Sequence, residues 1–116
     1  MKIRIKDNSV RIRLTQSEVN SLYQDGNISS KTEFLEKSFV YAVEKAEVSE
    51  LSVEYVDNKI TLKIPVSMLE QLYSTDIVGF EGVTGKVKLL IEKDFVCLDN
   101  TLEDQSDNYP NPNMIC

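Results

Sequence analysis

The sequence predicts an α+β fold: about eight antiparallel strands forming a curled sheet or barrel, with two helices, arranged as pseudo-twofold duplicated β-β-α-β-β halves. Three observations predict it. Apolar residues alternate with charged or polar ones in several short runs, which is the period of a strand with one buried face. Two other segments space their apolar residues at the helical period. The first half of this pattern then recurs about fifty residues later.

The first fourteen residues read as a hairpin. Ile3 and Ile5 alternate with Lys2, Arg4 and Lys6, and Val10, Ile12 and Leu14 alternate with Arg11 and Arg13. Asp7-Asn8-Ser9 between them supplies residues that accept the left-handed backbone of a tight turn. Thr15 and Glu18 have the spacing of a capping box, and Val19, Leu22 and Tyr23 fall on one helical face until Gly26, placed to end the helix. Residues 30–37 and 38–45 read as strands. A second hairpin follows: Leu51, Val53 and Tyr55 alternate, Asp57-Asn58 turns, and Ile60, Leu62 and Ile64 alternate with Thr61 and Lys63. Pro65 stands where a helix would begin, and Val66, Leu69, Leu72 and Tyr73 supply its apolar stripe. Residues 77–81 and 86–92 read as the last two strands, joined across 82–85.

The recurrence is specific in places. Asp7-Asn8 matches Asp57-Asn58, Leu22-Tyr23 matches Leu72-Tyr73 and Ser17 matches Ser67, while Val43-Glu44-Lys45 resembles Ile91-Glu92-Lys93. The expected organisation is one duplicated domain over 1–94, with halves 1–47 and 50–93, and an acidic tail over 95–116. A chain of 116 residues, 41% hydrophobic and 28% charged, is long enough to bury a core without staples. The helices are expected to pack on one surface of the sheet. The charged alternates, among them Lys86, Glu54 and Glu92, are left for the other.

Composition also removes some chemistry. The chain has no His, so a Ser–His or Cys–His nucleophile and a histidine metal ligand are excluded. Cys97 and Cys116 are too few for a disulfide framework; a bridge between them needs the C-terminus to fold back, and Cys97, in an apolar run, reads as a core residue. No apolar run approaches the length of a membrane helix and no signal-peptide core follows Met1, so a cytoplasmic protein with no membrane contact is expected. Gly79, Gly82 and Gly85 lack the lysine and helix of a phosphate loop and read as bulge and turn glycines.

The candidate site is a stripe of bases. Residues 2–13 hold five bases and one acid in a chain of net charge −6. Arg4, Lys6, Arg11, Arg13, Lys63 and Lys88 are the candidate ligand-binding residues, for a small phosphate-containing anion. The alternative is a solvated strand face paired with acids such as Glu33, Glu44 or Glu54. Duplex nucleic acid is not expected, given the negative net charge. No catalytic residue, cofactor or metal site is assigned. Residues 94–116 hold five acids and no base; Asp104, Asp107 and Asn108 lack the spacing of a calcium loop. The tail is expected to dock near the basic hairpin, helped by Tyr109 and its neighbouring prolines.

The opening MKIRIKDNSVRIRLTQSEV and the ending FVCLDNTLEDQSDNYPNPN resemble a small family of short bacterial proteins without an assigned function, over the whole chain. That resemblance implies a natural domain of bacterial source and carries no catalytic residues. A more distant similarity is to the triphosphate tunnel (CYTH-like) fold, which implies an eight-stranded tunnel holding a polyphosphate and a divalent metal. The opening strand of that family reads Glu-x-Glu-x-Lys; here it reads Lys2-Ile3-Arg4-Ile5-Lys6, with bases in place of the metal-binding acids. The expected function is a non-enzymatic binding domain for a small anionic ligand or a protein partner. The alternative is a polyphosphate or nucleotide phosphohydrolase on a degenerate tunnel.

Overall fold

The structure is a computed structural model and describes residues 1–96 and 104–110. The element order is β1 (Lys2–Lys6), β2 (Ser9–Leu14), α1 (Gln16–Asp25), β3 (Asn27–Glu33), β4 (Ser38–Ala46), β5 (Ser52–Val56), β6 (Lys59–Pro65), α2 (Val66–Ser74), β7 (Gly79–Thr84) and β8 (Val87–Lys93). Each half thus runs strand, strand, helix, strand, strand, as the periodicity predicts. Both first hairpins turn on left-handed residues, with φ of 50° at Asp7, 52° at Asp57 and 62° at Asn58. Asp and Asn adopt this region more readily than other side chains. Gly26 ends α1 at φ 87°, its N–H bonded to the Leu22 carbonyl, a conformation that costs glycine no steric strain.

The strands do not form one antiparallel sheet or a barrel. They form two open four-stranded sheets, ordered β1-β2-β8-β7 and β3-β4-β6-β5. The outer pairs are antiparallel, but the central pairs β2–β8 and β4–β6 are parallel, so both sheets are mixed. The alternation of a strand reports which face is buried. It does not report which strand lies beside it or in which direction. Exchanging each element of the first half for its counterpart in the second turns one strand order into the other, and this is the pseudo-twofold. Each sheet therefore takes one hairpin from each half, and the parallel seam joins them.

The inward faces of β2, β4, β6 and β8 meet the apolar stripes of both helices. Ile12, Leu14, Leu22, Val43, Leu62, Ile64, Leu69 and Ile91 are fully buried in one cluster. Truncating a buried leucine of this kind to alanine costs about 2–5 kcal/mol. Tyr23 and Tyr73, fifty positions apart in the recurrence, stack with ring centroids 4.0 Å apart and planes 5° from parallel. They join α1 to α2 across the pseudo-twofold. The edges of β5 and β7 are tied where the Val53 N–H donates to Thr84 Oγ1 at 3.1 Å.

The bounds of β3 and β7 differ most from expectation, at both ends of each strand. β3 begins at Asn27, directly after the Gly26 cap, because the Lys45 N–H already bonds the Gly26 carbonyl at 2.8 Å. Its polar run Asn-Ile-Ser-Ser hides this start from any hydrophobic pattern. Phe34–Lys37 is then the hairpin turn, closed by the Phe34 N–H on the Lys37 carbonyl at 3.1 Å. β7 runs on to Thr84, and Gly85, at φ 59°, takes the turn.

Residues 104–110 lie against the N-terminus of α1 and the end of β8. The Gln16 N–H donates to the Asp107 carbonyl at 3.0 Å, and the Ser17 N–H to Asp107 Oδ1 at 3.2 Å. A helix start leaves its first N–H groups without internal partners; Asp107 takes two of them, and the Ser17 hydroxyl bonds its other oxygen at 2.5 Å. Glu18 Oε1 accepts from the Thr15 N–H at 2.9 Å and Glu18 Oε2 pairs with the Met1 ammonium. Tyr109 bridges Phe95, and its ring lies 5.0 Å from the buried Lys93 ammonium, which donates to the Thr75 carbonyl at 2.7 Å. The contact expected of opposite charge is therefore made largely by helix-terminal amides and an aromatic ring. Cys97, Asp99, Glu103 and Cys116 lie outside the described residues, and so does the pairing weighed for the two cysteines.

The hairpin exchange predicts that neither half folds alone. Peptides spanning 1–49 and 50–116 should each lack native circular dichroism and recover it on mixing; a cooperative unfolding transition in either peptide by itself would refute this. The cap predicts a pH signature. Hydrogen bonds from the Ser17 and Thr15 side chains hold the Asp107 carboxyl below its ordinary value of 3.8. A depressed folded pKa contributes stability that is complete above 3.8 and is lost as pH falls through the lower folded value. Urea denaturation should find Asp107→Ala less stable than the parent at pH 7, with the gap closing as pH falls well below 3.8.

Candidate functional site

The register of the first sheet sorts its residues by face. Val10, Ile12 and Leu14 of β2 point into the core, so Ser9, Arg11 and Arg13 point out. β1 pairs Lys2 with Arg13, Arg4 with Arg11 and Lys6 with Ser9, which places its three bases on the same outer face. The parallel seam then brings Lys88, Leu90 and Glu92 alongside Ser9, Arg11 and Arg13. β7 completes the face with Gly79, Glu81 and Val83, opposite Glu92, Leu90 and Lys88. Across the strands, one row reads Lys6, Ser9, Lys88, Val83. The next reads Arg4, Arg11, Leu90, Glu81, and the third Lys2, Arg13, Glu92, Gly79.

The first two rows line a groove of about 630 Å³. Of the six candidates, Arg4, Lys6, Arg11 and Lys88 line it. Arg13 lies one row along, with its Nε donating to Glu92 Oε1 at 2.8 Å. Lys63 is not gathered with them. It stands on β6 of the other sheet, paired at 3.8 Å with Glu54, because the second hairpin belongs to the second sheet. The sequence reading missed Glu81, Val83 and Leu90 as members of this face, since only the β2–β8 and β7–β8 pairings bring them there.

Charge on this face is unbalanced. Arg11 Nε lies 2.7 Å from Glu92 Oε1, but it is buried and misaligned for a hydrogen bond, which Arg13 takes instead. One carboxylate thus serves two guanidiniums. Lys2 pairs with the buried Asp94 at 3.0 Å. Arg4, Lys6 and Lys88 have no ion pair with any described residue. Two cross-strand positions set base against base, Arg4 on Arg11 and Lys2 on Arg13, and like charges directly opposite destabilise a sheet.

The second sheet provides an internal comparison. Its corresponding face holds a smaller groove, about 330 Å³, on β3, β4 and β6. Fifty positions on, Arg4, Lys6, Arg11 and Arg13 are replaced by Glu54, Val56, Thr61 and Lys63. The paired positions are Glu54 with Thr61 and Ser52 with Lys63, so no base opposes a base. The same β-β-α-β-β scaffold therefore stands without the bases. Among the described residues, no three acidic or cysteine side chains come together as a metal-binding group, and no helix is long and apolar enough to cross a membrane.

These bases should cost the fold stability. Arg4→Glu turns a repelling cross-strand pair into an attracting one and should raise the unfolding free energy by up to about 1 kcal/mol, read from urea denaturation at low salt. A lower stability for this variant would show that the pair does not repel.

Comparison with known proteins adds the family and no activity. No curated protein and no solved structure matches the chain. A family model described as a family of unknown function, DUF7009, matches residues 1–113, a span that includes both sheets, both helices and the docked segment. The chain therefore belongs to that family of unknown function.

Proposed function

We propose that this protein is a binding domain for a small phosphate-containing anion, held on the outer face of the first sheet by Arg4, Lys6, Arg11 and Lys88. The observation that carries the reading is the base-on-base pairing of β1 with β2 over a groove, set against an equivalent hairpin in which no base opposes a base. A solvated face with no ligand would gain stability by pairing these bases with acids, as Lys63 is paired with Glu54. A bound anion neutralises the same repulsion. Phosphate oxygens also suit the forked donors of two arginines, which bind tetrahedral anions through paired hydrogen bonds. Arg13 positions rather than binds: it takes the hydrogen bond of Glu92, to which Arg11 is only close.

Pyrophosphate, triphosphate and orthophosphate, titrated by calorimetry at low and moderate salt, test this. Saturable binding that weakens with salt is expected, with at least a tenfold loss in Arg11→Ala and in Lys88→Ala. Lys63→Ala, on the other sheet, should bind as the parent does. Absence of saturable binding at millimolar anion, or an equal loss in Lys63→Ala, would overturn the site.

A further inference from the structure

The groove is not uniformly basic. Its second row passes from Arg4 and Arg11 over the side chain of Leu90 to Glu81, and Val83, 60% exposed, stands beside Glu81 on the same edge strand. Glu81 has no ion pair among the described residues, although bases line the same groove. Neighbouring strands lie about 4.8 Å apart, so β1 to β7 spans roughly 14 Å. A ligand filling this row needs an anionic end, a flat apolar middle and hydrogen-bond donors at the far end. A bare polyphosphate meets the first requirement only, and would lie its negative charge toward the Glu81 carboxylate.

Resting on the anion-binding reading above, we infer that the groove takes a free guanosine 5′-diphosphate-type nucleotide, with its phosphates on Arg4, Lys6, Arg11 and Lys88, its base over Leu90 and Val83, and its base edge donating to Glu81. Phosphate chemistry places the head at the basic end. The middle of the groove offers aliphatic surface of the kind that packs on the face of a planar ring. The base follows from the acceptor. A carboxylate offers two oxygens and no donor. Guanine presents a ring N–H and an exocyclic amino group side by side, so both oxygens are satisfied. Adenine and cytosine present one amino group beside a ring acceptor, which the carboxylate repels. Uracil has a single N–H between two carbonyls. Sites built on such hydrogen bonds discriminate strongly, because the wrong partner leaves a desolvated group unpaired.

Calorimetric titrations of the intact chain without divalent metal, using GDP, ADP, pyrophosphate and a single-stranded RNA tetramer ending in guanosine, separate this inference from the reading beneath it. GDP is expected to bind at least tenfold tighter than pyrophosphate and ADP, and at least as tightly as the tetramer. In Glu81→Gln the ratio of GDP to pyrophosphate affinity should fall at least tenfold, while circular dichroism keeps its native shape. Pyrophosphate binding equal to GDP, or an unchanged ratio in Glu81→Gln, overturns the nucleoside subsite and leaves the anion site standing. ADP equal to GDP overturns the guanine assignment, and a tighter tetramer overturns the free nucleotide. No binding of pyrophosphate or GDP at millimolar concentration overturns both readings together.

Discussion

The parallel seam between β2 and β8, with its counterpart between β4 and β6, is the constraint on which the rest of the structure depends. Each sheet is half from one part of the chain and half from the other. The inward residues of the seam, Ile12 against Ile91 and Val43 against Leu62, are buried together, so the ladder hydrogen bonds and the core form in the same event. Neither hairpin alone offers a second layer, and an isolated two-stranded hairpin is marginal in water. The helices close the arrangement because each connects a hairpin in one sheet to a hairpin in the other. Their meeting at Tyr23 and Tyr73 lies on the line relating the halves.

The same seam assembles the outer face. Lys88, Leu90 and Glu92 stand beside Ser9, Arg11 and Arg13 only because β8 runs parallel to β2 in that register. A shift of one residue would place Leu89 and Ile91 outside and return the charged alternates to the core. The buried pattern of β8 therefore fixes the groove indirectly: core packing chooses the register, and the register sets the row of bases. Glu92 is the hinge of the electrostatics, one carboxylate between two guanidiniums, with the hydrogen bond going to Arg13 and proximity alone to Arg11.

The two faces also show how little of the charge the scaffold requires. Glu44 and Glu92 occupy matching places on β4 and β8, opposite Lys63 and Arg13 across the two seams. Around that shared acid–base pair, the first sheet has gathered bases and the second has Glu54, Val56 and Thr61 in their place. Both choices are compatible with the same strand pairing. The first sheet retains base-on-base pairs where its own counterpart has none, and the proposed anion site rests on that difference.

The sequence by itself determined the elements. Alternation at β2 and β6 marked which residues are buried, whereas on the edge strands β1 and β5 it marked the strands but not burial, Ile5 and Tyr55 being exposed. The Thr15–Glu18 spacing and Gly26 bounded α1, and the matching of Asp7-Asn8 and Leu22-Tyr23 with Asp57-Asn58 and Leu72-Tyr73 fixed the halves and their order. These are local signals: a period, a cap, a left-handed turn. It also named most of the basic face, because Arg4, Lys6, Arg11 and Arg13 share the polar phase of one hairpin. Tertiary structure alone decided that the strands form two open mixed sheets, that Lys88 joins this face and Lys63 does not, and that Glu81 and Leu90 complete it. It alone set Asp107 on the start of α1 as well. Those outcomes rest on which strand edges pair and in what direction, and that is settled by burying both halves in one core, a condition on residues far apart in the chain that no local period records.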